Sequence, residues 1–576
     1  MLTDTSAFPR PDFVRQDWEC LDGLWDFSFD TDSFDRQILV PFVYQSTKSG
    51  IGETQDHALV FYRRTFTVDP EKLPGRRLLL KFGAVDYLAQ VFVNGTLVCT
   101  HEGGHVGFEA DITDYVHPGE NELKLRVHDG LEPDKPRGKQ SWMGQCFGCW
   151  YTPTTGIWQS VWLEYAGGSY IRRIKVTPNT EENQALCEVF VSDCATAMVT
   201  VEAVVDSAKL GRTIPVGTQQ VPCTNGYGKC VFTFPDMDIT SSLYQWSPGT
   251  PNLVYLQATL TGTAGAPDTV TTYFGMRSAQ FRDGKFFLNG HLTYQRLILD
   301  QGYWPDTLLT PPDAAAIQED IRLTKEMGFN GVRKHQKIED PRYYYWADRM
   351  GLLVWGELPS CYAYTDNTVR RSMTEMTDFV QRDFNHPCIV AWVPLNESWG
   401  LHSVRTNAQQ QAFSNAMIFL IKALDPTRAV SGNDGWEQTT HTDIFAIHDY
   451  SLMPSTMHRY DDLDAIIHNT AESRSLLAEG QQFRNQPVIM TEYGGVSFEN
   501  NGGWGYYNAA QSEEQLLGRI GPITDYLIKH PRFAGFCYTQ LTDVMQEKNG
   551  LLDENRRPKV APEKLRAIFA KRYFEE

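Results

Sequence analysis

Two glutamates stand where chemistry is easiest to place. Glu397 lies in NHPCIVAWVPLNESWG (385–400), and Glu492 lies in QPVIMTEYGG (486–495). Ile389, Val390, Ala391 and Trp392 lead to the first; Val488, Ile489 and Met490 lead to the second. Short apolar runs with β-branched residues suit strands buried on both faces, as in a parallel sheet. A carboxylate just past such a strand leaves the core at the strand's C-terminal end, where α/β barrels place their chemistry. Two such carboxylates on one rim are what glycoside cleavage needs.

Patterning indicates the elements that must hold them. Residues 1–167 read as all-β. In Glu120 to Asp129, Leu123, Leu125 and Val127 alternate with Lys124, Arg126 and His128, giving one buried and one wet face. Asn94-Gly95 marks a tight turn between two strands. Many short strands with Gly/Pro turns imply a sandwich or jelly roll. Residues 168–275 read as a smaller β unit whose strand spacing suits an immunoglobulin-like β-sandwich. From 276 to 576 strands and helices alternate. Eight strand candidates (296–299, 331–333, 352–355, 389–393, 429–431, 444–447, 488–491 and 534–538) imply one (β/α)8 TIM barrel. Helices are expected over Asp313 to Met327, Arg405 to Leu424 and Ser512 to Ile528. Glu397 then follows the fourth strand and Glu492 the seventh.

The 576 residues are too many for one core. A net charge of −19 argues against nucleic acid and anionic membranes as partners. The N-terminal stretch MLTDTSAFPRPDFVRQDW has no basic segment followed by an apolar one, so no signal peptide is expected. The 11 cysteines are scattered and odd in number, which argues against a disulfide framework. A cytoplasmic enzyme with reduced thiols is the resulting expectation.

The chain resembles glycoside hydrolase family 2, the family of β-galactosidases, β-glucuronidases and β-mannosidases. FYRRTF (61–66), VFVNG (91–95) and GIWQSVWLE (156–164) resemble its N-terminal sugar-binding jelly roll. WSPGTPNLVYL (246–256) resembles the end of its immunoglobulin-like domain. NGVRKH (330–335), GLLVWGE (351–357), RDFNHP (382–387), LNES (395–398) and TEYGG (491–495) resemble barrel motifs in family order. The resemblance implies that Glu397 is the general acid/base and Glu492 the nucleophile of a retaining exo-β-glycosidase without an obligatory cofactor or metal. It also implies that Asn396 bonds the sugar's 2-hydroxyl and that His335 and Tyr450 line the pocket. Glu397 is expected to have a raised pKa, being an acid beside Glu492's charge. A homo-oligomer fits such a family.

Substrate-sorting features depart from the family. An Asn-x-Lys motif that grips glucuronate is replaced by Glu547, Lys548 and Asn549, although Lys548 or Lys334 offers compensation. Asp300 is placed to accept hydrogen bonds from neutral hydroxyls. A neutral β-galactoside is therefore the first expectation, with glucuronides, galactofuranosides and arabinosides as alternatives. Tyr538 stands for the family's Trp beneath the sugar. Trp399 and the loop 502–508, which carries Trp504, are expected to shape the aglycone side. The rival classes are an inactive carbohydrate-binding protein and a metalloprotease. The latter rests on His101-Glu102-Gly103-Gly104-His105, an HExxH pattern in a β region where its two glycines disfavour the helix that zinc binding needs. Cys146-x-x-Cys149 lacks the second pair a zinc site requires.

Overall fold

Residues 295–539 carry eight parallel strands: β1 Gln295–Asp300, β2 Gly331–Lys334, β3 Leu353–Glu357, β4 Ile389–Val393, β5 Ala429–Val430, β6 Phe445–His448, β7 Val488–Gly494 and β8 Phe533–Thr539. Their order in the sheet is β5-β4-β3-β2-β1-β8-β7-β6. Chain neighbours pair except β5 and β6, which form the two ends of the ladder, and β1 pairs with β8, as in a barrel. A computed structural model describes residues 1–571 apart from 193, 236, 469, 472–473 and 499–502. Gly502 of the loop 502–508 thus lies outside the described residues.

The strands form where unbroken apolar runs predict them. All five residues of β4 and all seven of β7 are buried, as expected for strands covered by helices on one side and barrel interior on the other. The three expected helices begin at capping residues. Asp313 accepts from the Ala316 N–H before Ala314–Glu326, and Ser512 accepts from the Gln515 N–H before Glu513–Lys529. Each cap satisfies an otherwise orphaned donor of the first turn. Asn407 does the same for Ala408–Leu424, so that helix starts three residues later than its pattern indicates. No described helix is long and apolar enough to cross a membrane.

The N-terminal unit stacks a six-stranded and a four-stranded antiparallel sheet. Leu123, Leu125 and Val127 sit in the core between them, while Lys124, Arg126 and His128 on the same strand are half-buried. Asn94 (φ 49°) and Gly95 (φ 80°) make the expected tight turn. His101 and Glu102 end the strand Thr96–Glu102, and Glu102 pairs with Arg370 and Arg371 of the barrel. The HExxH pattern thus runs from strand into a bend at Gly104 and His105, and its two histidines do not share a helix face.

The middle unit is an eight-stranded antiparallel ladder. It is pinched where the strands 212–224 and 227–233 share one register pair, Thr224 with Tyr227. Side chains from both halves, including Val176, Val189, Val201 and Leu256, join one core. Phe13–Val14 add an edge strand to this ladder, so the chain's first residues belong partly to the middle unit. Arg15 ties the two β units together, bonding Glu164 at 2.7 Å and Asp268 at 2.9 Å.

One long loop of the N-terminal unit enters the barrel mouth. The Arg137 and Gly138 N–H groups donate to Ser360 O, and the Tyr362 hydroxyl donates to Gly138 O. Gly138 has φ +60°, and a Cβ there would lie 2.1 Å from Gln336 O. Only glycine permits that approach. The Trp504 indole N–H donates to Gly148 O at 2.7 Å and seals the other side of the mouth.

Candidate active site

The carboxylates of the site, with Arg333 and His448, lie at or just past the C-terminal ends of barrel strands. Arg333 on β2 is the hub and is fully buried. Its Nε bonds Glu357 at 2.9 Å, and its Nη1 bonds Asp434 at 2.9 Å and Thr491 O at 3.0 Å. Its Nη2 bonds Glu492 at 2.5 Å and Asn396 Oδ1 at 3.0 Å. A planar guanidinium serves this many acceptors at once, which an ammonium cannot.

His448, ending β6, is the second hub. Its Nδ1 lies 2.8 Å from Glu397 Oε1, and its Nε2 lies 2.8 Å from Asp434 Oδ1 and 3.5 Å from Glu492 Oε1. One oxygen of Glu397, one of Glu492 and a ring nitrogen of His448 all fall within 4.8 Å of one another. Glu492 also accepts from the Tyr450 hydroxyl at 2.5 Å, and that hydroxyl is 3.0 Å from Thr539 Oγ1. Glu397 (φ 51°) and Ser398 (φ 55°) are consecutive left-handed residues. The Glu397 N–H donates to Asp434 O, the Ser398 N–H donates to Asn433 Oδ1, and the Trp399 indole donates to Glu397 Oε2 at 3.1 Å. Non-glycine residues hold this backbone only where surrounding bonds compel it, a common mark of functional sites.

Burial would raise the Glu397 carboxyl, but the hydrogen bond and charge of His448, with Lys139 and Trp399, bring it below its ordinary value. The expectation of a raised pKa is thereby corrected. It considered Glu492's negative charge and left out the imidazole wedged between the two carboxylates. Burial also opposes charge on His448, yet Glu492, Asp434 and Glu397 outweigh it and push the imidazolium up to about 10. Glu357 is pushed up to about 7 by burial, against Arg333. His335 is held well below its ordinary value by burial and by the nearby cations Lys139 and Arg333, so it is neutral.

The structure brings Glu397, Glu492, Asn396, His335, Tyr450 and Trp399 together. Asn396 Nδ2 is buried without a partner among the described residues, a donor left over for a ligand. Trp399 sits among Trp150 (ring centroids 5.1 Å apart), Tyr362 (5.6 Å) and Trp436 (6.0 Å). Trp504 reaches the mouth but spends its indole N–H on Gly148.

Two expectations differ from the structure. Asp300 is not available to hydroxyls: its oxygens accept from the Lys334 ammonium at 2.8 Å and the Gly302 N–H at 2.9 Å. Lys334 pairs further with Glu339 at 2.7 Å, so neither group is free. Tyr538 is fully buried against Tyr493 and Phe569, away from the pair. Successive strand residues face opposite sides. The next residue, Thr539, is therefore the one that reaches Tyr450.

Arg333, Glu357, Asp434, His448 and Lys139 were not expected as site residues. Glu357 ends the apolar run of GLLVWGE, a signal as good as that of Glu397, whereas Arg333 follows only Gly331-Val332 in NGVRKH. His448 is two residues before Tyr450, the same-face spacing of a strand. Lys139 carries no such signal, because the N-terminal unit delivers it.

Family models match two stretches of the chain: the TIM barrel domain of glycosyl hydrolases family 2 over residues 311–570, and the galactose-binding domain-like unit of glycosyl hydrolase 2 over residues 42–174. The chain is 28% identical to a putative β-glucuronidase of Formosa agariphila over 64% of its length, and 26% identical to a β-galactosidase of Thermoanaerobacter pseudethanolicus over 72%. It spans about half of those two curated relatives, 44% and 54%. The solved β-D-glucuronidase of Dictyoglomus thermophilum shares the fold, with TM-score 0.77 at 19% identity over 98% of both chains. With its galactose-binding-like unit, its barrel and its rim of strand-end carboxylates, the chain belongs to glycosyl hydrolase family 2.

Proposed function

We propose that the chain is a retaining exo-β-glycosidase, with Glu492 as nucleophile and Glu397 as general acid/base. The observation that carries this reading is the approach of the two glutamates to within 4.8 Å. Retaining pairs sit about 5–5.5 Å apart, and inverting pairs about 6.5–9.5 Å apart to admit a water. Glu492 attacks the anomeric carbon while Glu397 protonates the leaving oxygen; water, deprotonated by Glu397, then releases the sugar. The middle unit, residues 168–275, is read as an immunoglobulin-like sandwich bracing a barrel that begins near 276. The aromatic wall of Trp150, Tyr362, Trp399 and Trp436 suits an aglycone. The test is turnover of a panel of nitrophenyl glycosides with NMR of the first-formed product. A product of inverted anomeric configuration defeats the retaining assignment.

Asn396 is read as the donor to the 2-hydroxyl. Asn396→Ala is expected to lower kcat/KM about 100-fold on the natural glycone, and far less on its 2-deoxy analogue. Equal losses on both would remove that role.

A neutral β-galactoside remains the first glycone reading. Lys334 is engaged with Asp300 and Glu339, and Lys548 with Glu554, so neither compensates for the missing Asn-x-Lys motif. One observation favours a β-uronoside instead. Lys139 is 7% exposed, and among the described residues no carboxylate oxygen lies within 4.0 Å of its ammonium. Beside it lies the Cys149 thiol, which burial pushes up to about 11. The charges of Glu547 and Glu397 act on Lys139 only from beyond 4.0 Å, which leaves direct pairing with a ligand's carboxylate open. If it receives a uronate, Lys139→Met is expected to raise KM for a β-uronoside at least tenfold and to leave the β-galactoside to β-uronoside ratio shifted toward the neutral sugar. An unshifted ratio favours the neutral reading.

A further inference from the structure

His448 is set in a tight cradle. Gly435 (φ +92°) lies against its ring, and a Cβ there would fall 2.3 Å from the imidazole Cγ. Asp434, which orients Nε2, is itself fixed by the Ser431 hydroxyl at 2.6 Å and by Arg333 at 2.9 Å. Both ring nitrogens face carboxylate oxygens at 2.8 Å. A neutral imidazole has one N–H and could satisfy only one of them; the imidazolium satisfies both. The geometry therefore places one mobile proton on the line between His448 Nδ1 and Glu397 Oε1.

We propose that Glu397 and His448 act as a proton-sharing dyad, in which His448 stores the proton that Glu397 delivers to the leaving group. This rests on the glycosidase reading of Glu397 and Glu492. In the first half-reaction a Glu492 oxygen bonds the anomeric carbon as the bond to the leaving oxygen breaks. That oxygen takes the one shared proton, which passes to it from His448 Nδ1 through Glu397. The step ends with Glu397 ionised and His448 neutral, its remaining N–H on Asp434. In the second, water bonds the anomeric carbon as the bond to Glu492 breaks, and the proton it loses returns through Glu397 to Nδ1. Protons balance over the cycle, and no additional reactant is used.

The dyad explains how an acid whose carboxyl is held low still delivers a proton. The protonated pair is the acid, and either residue can carry its hydrogen. The charges that face it come from every side. Glu397 follows β4, Asp434 follows β5 and Glu492 comes from β7, while Arg333 on β2 stands 3.2 Å from Nε2. His335 and Glu357 lie behind Arg333, and Lys139 faces Glu397 from the N-terminal unit. Three carboxylates in direct contact favour the imidazolium; Arg333 opposes it.

Two measurements test the dyad. The first is histidine side-chain NMR of the ligand-free protein. His448 is expected to remain an imidazolium at pH 8 and, in Glu397→Gln, to titrate about one unit lower or more. A neutral His448 at pH 8 overturns the proposal whatever the protein hydrolyses. The second compares His448→Asn with the native protein on glycosides of the preferred sugar. Loss of kcat/KM on an alkyl glycoside, which needs a proton, is expected to exceed loss on a dinitrophenyl glycoside by about 100-fold. The alkaline limb of the pH profile is expected to move with it. Equal losses with an unmoved profile reduce His448 to a structural support. Absence of turnover by the native protein on any glycoside defeats the glycosidase reading instead, and the NMR result still decides the dyad.

Discussion

Glu492→Ala is expected to lower kcat/KM on the best glycoside by about 10,000-fold or more while leaving the fold intact. Removing a nucleophile that forms the covalent intermediate closes the retaining route, and losses of this order follow when one member of a catalytic unit is deleted. The fold should survive because Arg333 keeps two carboxylates. Glu357 stays on Nε at 2.9 Å and Asp434 on Nη1 at 2.9 Å after Glu492 leaves Nη2. Tyr450 retains Thr539 as a hydroxyl partner at 3.0 Å. Steady-state kinetics beside a thermal unfolding curve make the measurement. Activity within tenfold of native would remove Glu492 from the nucleophile's role. A collapsed melting temperature would show instead that its charge is needed for folding.

Arg333→Met is expected to abolish turnover and to destabilise the protein by about 3–5 kcal/mol, the usual consequence of removing one partner from a buried ion network. The side chain is completely inaccessible, as are Glu357 and Asp434. Methionine fills much of the volume but leaves Glu357 without a cation and Asp434 and Glu492 with His448 alone. The sign of the pH dependence follows. Unpaired buried carboxylates bind protons more tightly folded than unfolded, so the variant loses stability as pH rises above the ordinary carboxylate range. Its deficit against the native protein is expected to be larger at pH 8 than at pH 5 in chemical denaturation. A deficit under 1 kcal/mol, or one that grows toward acid, would contradict the hub role. Arg333→Lys is not a rescue, because a single ammonium cannot span Glu357, Asp434 and Glu492.

The sequence by itself determined the barrel and the two glutamates on its rim. Ile389–Val393 and the run Val488 to Met490 are apolar without a break, so they had to be strands covered on both faces, and a charged residue just past each run had to approach the barrel's C-terminal rim. Helix starts were equally local, since Asp313 and Ser512 cap through atoms within three residues. Tertiary structure decided the rest. Asp300 lost its expected role to Lys334, 34 positions along the chain. Tyr538 lost its place to Thr539 because a strand turns over every residue, and the register of β8 against its neighbours selects which one looks inward. Glu397's charge state depends on His448, 51 positions away, and Lys139 reaches the mouth from another unit. Burial and charge act over a few ångströms of space, and sequence pattern reports only the few ångströms measured along the chain.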